Sequence, residues 1–171
     1  NHWFVGGAAP ANKAMDLATG LWITRLDDDD TWSEDHIEKL LTFAMDGNYE
    51  FVSGLYEEER FGKRKVVNGR MALDKYYTRT ASINSSKIGG VSTWLYRSYL
   101  KGMKYNLNCW RKDWNQVWDI DLVLRIYHAG VRMGFIEEVV AYVFPRPGEE
   151  SIGLDAYKLT EKEKLKQYKF K

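Results

Sequence analysis

The chain has 171 residues, of which 44% are hydrophobic and 29% charged, a globular balance that excludes extended disorder and fibrous repeats and fits one domain better than two. A net charge of +1 gives no global pull toward nucleic acid or an anionic membrane, so nucleic acid is not expected among the partners. The single cysteine, Cys109, cannot build a disulfide framework, and no apolar stretch approaches the ~20 residues of a membrane span. The expectation is a soluble chain of the reducing cytoplasm, free or at the inner face of the membrane.

Pro10, then Ala11, Ala14, Met15 and Ala18 at helical spacing with Gly20 beyond, predict a short helix over 10–18. The β-rich run LWITRL, 21–26, predicts a strand that ends in four aspartates. Thr31 and Glu34 are spaced as a capping box, and Ile37, Leu40, Leu41 and Ala44 form the apolar stripe of a helix that stops at Gly47. A second strand follows over 49–56, then a polar hairpin or loop with Gly62 and Gly69 as turn points. Residues 83–99 fit a strand leading into a short helix, with Gly89 and Gly90 marking a close backbone approach.

The stretch 105–118 lacks a clean period and reads as a Trp-rich loop, after which 119–129 is helical, with Leu122, Val123 and Ile126 on one face and Gly130 as its stop. Two short strands, 131–136 and 138–144, precede Pro145. Strands alternating with helices imply an α/β layered sheet, mostly parallel with a late antiparallel addition. The domain is taken as 1–154, with 155–171 as a charged C-terminal helix or tail.

Four consecutive aspartates, Asp27 to Asp30, repel one another and call for a cation. Mg²⁺ and Mn²⁺ take oxygen ligands, commonly one or two carboxylates completed by substrate phosphates and water, and D-x-D spacing at a strand's carboxyl end suits that task. Asp27 and Asp29 are the candidate metal ligands. The competing reading is an acidic turn in which Asp30 or Ser33 caps the next helix. Aromatic residues reach 15%, with seven Trp and eleven Tyr, enough to supply sugar-stacking faces beyond a core, although core packing accounts for most single Trp residues.

Residues 11–32, ANKAMDLATGLWITRLDDDDTW, resemble the region of family-two GT-A glycosyltransferases in which an Asn-bearing helix and a Gly lead into the strand that carries the DxD motif. VWDIDLVLRIYHAGVRMGFI, 117–136, is similar to that family's acidic helix start with its Arg and closing Gly, except that Trp118 stands where Glu is usual. KIGGVSTWLYR resembles the segment lining the donor-sugar and acceptor region, and VFPRPGEESIG the family's closing loop; the likeness covers roughly residues 5–153. It implies a partial GT-A fold and a metal-dependent, inverting sugar transfer from a nucleoside-diphosphate sugar to a carbohydrate or lipid-linked acceptor.

The resemblance assigns roles residue by residue. Asp119 matches the catalytic base, with Asp121 as fallback; a carboxylate at a helix start is held ionised by free N–H groups, and an ordinary N-cap is the alternative. Asp29 and Asp27 would hold Mn²⁺ or Mg²⁺, with Asp27 reaching the ion or the ribose. Asn12, Asp27, Asp28, Gly89, Gly90, Trp94, Arg97, Trp114 and Arg125 are the donor or acceptor candidates; Lys13 and Trp110 stand beside them. Arg97 and Arg125 serve equally as structural ion pairs. The three histidines are too scattered to form a ligand set.

Family members begin with strands that carry the nucleotide-base pocket, and the resemblance starts after them. The expectation is a fragment or natural truncation lacking those N-terminal strands, with a second copy or partner chain covering the open half of the sheet. Two other functions stay open: a non-catalytic sugar-binding or assembly module, and a haloacid-dehalogenase-like phosphatase, because Asp27, Asp29 and Thr31 also spell D-x-D-x-T.

Overall fold

A computed structural model describes residues 7–60, 63–67, 87–109 and 118–144. Its elements in chain order are α1 (Ala8–Leu17), β1 (Trp22–Thr24), β2 (Asp30–Trp32), α2 (His36–Asp46), β3 (Phe51–Arg60), β4 (Lys63–Val67), a 3₁₀ turn (Val91–Thr93), β5 (Leu95–Arg97), a 3₁₀ segment (Ser98–Met103), α3 (Trp118–His128) and β6 (Met133–Val143).

Among the described residues the strands form a six-stranded sheet in the order β1-β5-β3-β6-β2, with β4 paired to the outer part of β3. The sheet is mixed, as expected, but its balance differs from the mostly parallel one predicted. Only β3 and β6 pair in parallel; β1–β5, β2–β6, β3–β4 and β3–β5 are antiparallel. The strands β1, β3 and β6 share one direction, and β3 and β6 are each entered through a helix, the connection that a parallel neighbour needs. The others arrive through a hairpin, a loop or a 3₁₀ turn, which leaves them antiparallel.

Helices cover both faces of the sheet. On one face Leu40 and Ala44 of α2 meet Val52, Leu95 and Val140. On the other, Ala8 and Met15 of α1 and Leu122, Val123 and Ile126 of α3 pack with Phe51, Trp94 and Tyr96. Neighbouring residues Phe51 and Val52, and likewise Leu95 and Tyr96, fall in opposite clusters because strand side chains alternate between faces. Burying a Leu-sized side chain contributes about 2 kcal/mol, so these two clusters are what hold the layers together.

Several local expectations are corrected. Thr31 sits in β2 opposite Tyr142, and the residue before α2 is Asp35, whose side chain makes no cap bond, so the Thr31–Glu34 capping box does not form. The turn after α2 takes its left-handed conformation one residue past Gly47, at Asn48 (φ 51°), a residue type whose short polar side chain tolerates it. Within 91–103 a strand does lead into a short helical segment, β5 into the 3₁₀ segment Ser98–Met103, and a further 3₁₀ turn precedes β5.

The two expected strands after α3 are one, β6. Glu137, the residue left between the two expected strands, and Glu138 after it are exposed where the register against Gly54, Leu55 and Tyr56 shifts. Gly130, at φ 77°, ends α3 as predicted. The polar segment after β3 continues that strand to Arg60 and returns as β4, realising the hairpin alternative. Gly62, Gly69, the strand expected from residue 83, the closing loop and the 155–171 tail lie outside the described residues.

Candidate active site

The loop 25–29 leaves β1 and enters β2, and these strands stand at opposite ends of the strand order. The aspartates therefore cross the sheet rather than hang from its edge. They rest on the 3₁₀ turn Val91–Thr93. There the Ser92 hydroxyl accepts from the Asp27 N–H at 3.1 Å and donates to Asp30 Oδ2 at 2.5 Å, while Trp32 Nε1 donates to the Ser92 carbonyl at 2.9 Å. The Asp30 N–H closes the turn onto the Asp27 carbonyl.

The turn can lie so close to the sheet because Gly89 has no side chain. A Cβ there would come within 2.1 Å of the Gly54 carbonyl. The close approach expected of the glycine pair is thus a property of Gly89, whereas Gly90 faces the Tyr56 ring at ordinary contact distance.

Burial and like charge act together on Asp30. Burial first, with the Asp27 and Asp29 charges adding, raises its pKa to about 6 against the opposing Ser92 bond and Arg25. Asp27 has a cation already, since Arg25 donates to its Oδ1 at 2.5 Å. Asp28 is exposed and Asp29 half-buried.

Arg25 links this loop to the start of α3. Its guanidinium carbon lies 4.3 Å from the Trp118 ring centroid and 5.7 Å from that of Tyr105, and its Nη1 is 3.5 Å from the Tyr105 hydroxyl. Asp119, next to Trp118, accepts from the Ile120 N–H through Oδ1 at 2.8 Å. The Tyr105 hydroxyl has its pKa raised, by burial first; Arg25 opposes, and both the Asp119 and Asp27 carboxylates add to the rise. A cavity of about 380 Å³ is lined by Arg25, Asp27, Asp28, Tyr105 and the Pro10, Ala11, Ala14 face of α1, a size that suits a small-molecule ligand; Asp29 and Asp119 are not among its lining residues.

The other candidates divide. Asn12 clamps the Tyr105 backbone, accepting its N–H at 2.7 Å and donating to its carbonyl at 2.9 Å, so it shapes the cavity wall; Lys13 is exposed. Asp121 is 2% exposed and paired to Arg125 at 2.9 Å, and Arg125 also donates to the carbonyls of Met103 and Lys104. That is a brace between α3 and the 3₁₀ segment Ser98–Met103, the structural alternative left open for Arg125.

Arg97 stacks on Trp22, opposite it in the β1–β5 register and at the far end of β1 from the aspartates. Trp94 is 2% exposed, set edge-on to Phe51, with its Nε1 bonded to the Gly89 carbonyl. Its ring is core, not a sugar platform. Trp110 and Trp114 lie outside the described residues. Thr31, which the phosphatase reading requires, is exposed on β2.

Sequence reasoning missed Arg25, Ser92 and Tyr105, and took Trp118 only as a departure from a pattern. Arg25 did leave a signal, a charge inside the run LWITRL, since a charge that folding largely buries is normally paired. Ser92 and Tyr105 left none.

The donor set suits Mn²⁺ or Mg²⁺ in one respect: hard carboxylate oxygens are gathered in one loop, where burial first and the neighbouring Asp27 and Asp29 charges after it raise the proton affinity of Asp30. Among the described residues no three acidic, His or Cys side chains converge as a closed cage. The loop can supply one or two ligands to an ion whose remaining shell comes from phosphate and water. No helix of the described residues is long and apolar enough to cross a membrane.

No curated protein matches the sequence. Among solved structures, the S. aureus TarS 1–349 crystal structure is similar with TM-score 0.52 and 14% identity over 81% of this chain and 40% of that one. Its UDP complex gives 0.57 and 14% over 81% and 40%, and its UDP-GlcNAc complex 0.55 and 14% over 86% and 41%. The chain thus spans about 40% of the length of these structures. Identity this low speaks for the fold alone, the partial GT-A sheet with its flanking helices. The profile described as Glycosyl transferase family 2 matches residues 2–102, which include α1, the aspartate loop and the 3₁₀ turn beneath it. More than half of the sequence is covered by that match, and the chain belongs to glycosyl transferase family 2.

Proposed function

We propose that the chain works in the transfer of a sugar from a nucleoside-diphosphate sugar to a hydroxyl of a carbohydrate or lipid-linked acceptor, with inversion at the anomeric carbon. The observation that carries this reading is that Arg25, paired with Asp27, reaches the Tyr105 hydroxyl and lies over the ring of Trp118, the residue before Asp119, so that the aspartate loop meets the start of α3 next to a cavity of about 380 Å³ lined by Asp27, Asp28 and Tyr105. A second support is that similar solved structures hold UDP and UDP-GlcNAc.

Asp29 and Asp27 would hold Mn²⁺ or Mg²⁺, which when bound neutralises charge on the departing diphosphate. Asp119 accepts the proton of the acceptor hydroxyl as that oxygen attacks the anomeric carbon from the face opposite the leaving group. The Ile120 N–H fixes the orientation of the carboxylate. Ser92 keeps the aspartate loop in one shape, and the apolar α1 wall limits water beside the reacting groups.

The test is incubation with a panel of UDP-sugars and Mn²⁺, with and without sugar acceptors, following release of UDP. Turnover that vanishes with EDTA and in Asp29→Ala is the expected outcome. Binding of sugars without any UDP release would instead identify a carbohydrate-binding module.

A further inference from the structure

Among the described cavity-lining residues Arg25 is the only cation, and it stands among groups of the opposite sign. Its guanidinium carbon lies over the Trp118 ring, 4.3 Å from the centroid, a cation–π contact that leaves the N–H groups for hydrogen bonding. A guanidinium carries five N–H donors. Among the described residues its hydrogen-bond partners are Asp27 and, at the limit of 3.5 Å, the Tyr105 hydroxyl. Its side chain is 19% exposed and lines the cavity. A diphosphate entering beside four aspartates meets strong repulsion, and a divalent ion shared with those aspartates offsets only part of it.

We propose that Arg25 grips the diphosphate of the nucleotide-sugar donor, with Asp27 as the partner that holds the guanidinium in place until a divalent ion takes over that carboxylate. The inference rests on the reading of the chain as a glycosyltransferase and adds a donor-binding residue to it. Planar, two-point bonding to phosphate oxygens is what an Arg fork does and a Lys point charge does not. The same geometry makes Arg25 and the ion competitors for Asp27 when no nucleotide is present.

The test uses UDP as probe in the presence of Mn²⁺, and Mn²⁺ alone, each titrated calorimetrically against the parent chain, Arg25→Gln and Arg25→Lys, with melting curves to verify folding. Arg25→Gln is expected to weaken UDP roughly tenfold or more, while Mn²⁺ alone binds as tightly as to the parent or tighter, because Asp27 has lost its internal cation. Arg25→Lys is expected to fall between them for UDP. If Arg25→Gln binds UDP like the parent, the proposal is overturned. It is also overturned if UDP and Mn²⁺ weaken together in a folded variant, since Arg25 would then be a brace of the loop. Should Arg25→Gln fail to fold, Arg25→Lys decides, and parental UDP affinity in that variant sinks the fork. A parent chain that binds no UDP overturns the glycosyltransferase reading itself, and this inference with it.

Discussion

Asp119 and Asp121 sit two positions apart at the start of one helix, yet their surroundings give them different tasks. Asp119 is oriented by the adjacent N–H and shares the Tyr105 neighbourhood with Asp27, whereas Asp121 is buried against Arg125. Replacing Asp119 with Asn keeps an acceptor for the Ile120 N–H but removes the proton-accepting charge. With a donor and acceptor that support turnover, sugar transfer should therefore fall by about 10²-fold or more with little loss of stability. Asp121→Asn should do the opposite, costing about 2 kcal/mol of stability by weakening a charged hydrogen bond, with transfer reduced only as far as folding is. Melting curves and initial rates on the two variants separate these outcomes. If Asp119→Asn transfers at the parental rate, Asp119 is not the base.

At the scale of elements, His36 ties four of them together. It opens α2, its Nδ1–H donates to the Val140 carbonyl of β6 at 2.8 Å, its Nε2 lies 3.2 Å from Thr24 Oγ1 at the end of β1, and its ring stacks on Trp32 at 4.4 Å. Burial, against the opposing Val140 bond and Asp35, lowers its pKa from 6.5. The unfolded chain then binds the proton more readily than the folded one. Stability from neutral His36 is complete above pH 6.5 and declines as pH falls below that value toward the folded pKa. Asp30 acts with the opposite sign, because its raised pKa makes the folded form gain a proton as pH falls through about 6. The two are separated by difference. The stability gap between the parent and His36→Gln, measured by denaturant titration, should be widest at pH 7 and narrow by pH 5. A gap independent of pH would show that His36 does not titrate between the two states.

At the scale of the whole molecule the sheet ends at β1, whose described pairing is to β5 alone. Next to it Leu21 is 73% exposed, and Leu17 is exposed as well. An open strand edge beside apolar side chains is a surface that folded proteins usually cover. The expected outcome is a homodimer that pairs along β1, seen as a doubled mass by light scattering and lost in Leu21→Lys. A stable monomer at high concentration would count against it.

Much of this protein was legible from one dimension, because its signals are local. Helix α2 showed in the stripe Leu40, Leu41, Ala44, since burial on one face imposes a 3.6-residue period. The aspartate run at a strand's end announced itself because four like charges in sequence demand an explanation wherever they lie in space. Gly130 could be read because a left-handed residue after a helix favours glycine. Other features depend on which segments pack together, and no short window carries that. Trp94 and a sugar-stacking Trp look alike in sequence; only the packing of Phe51 and the Gly89 carbonyl makes the former core. Glu137 fell between two expected strands because pattern alone cannot tell a bulge from an ending. Arg25 became a site residue only when Trp118, ninety-three positions away, was brought beneath its guanidinium. The sequence by itself determined the family, the layered α/β plan and the acidic loop. The tertiary structure alone decided which charges meet, because electrostatic and stacking energies depend on distance in space and the chain encodes only distance along itself.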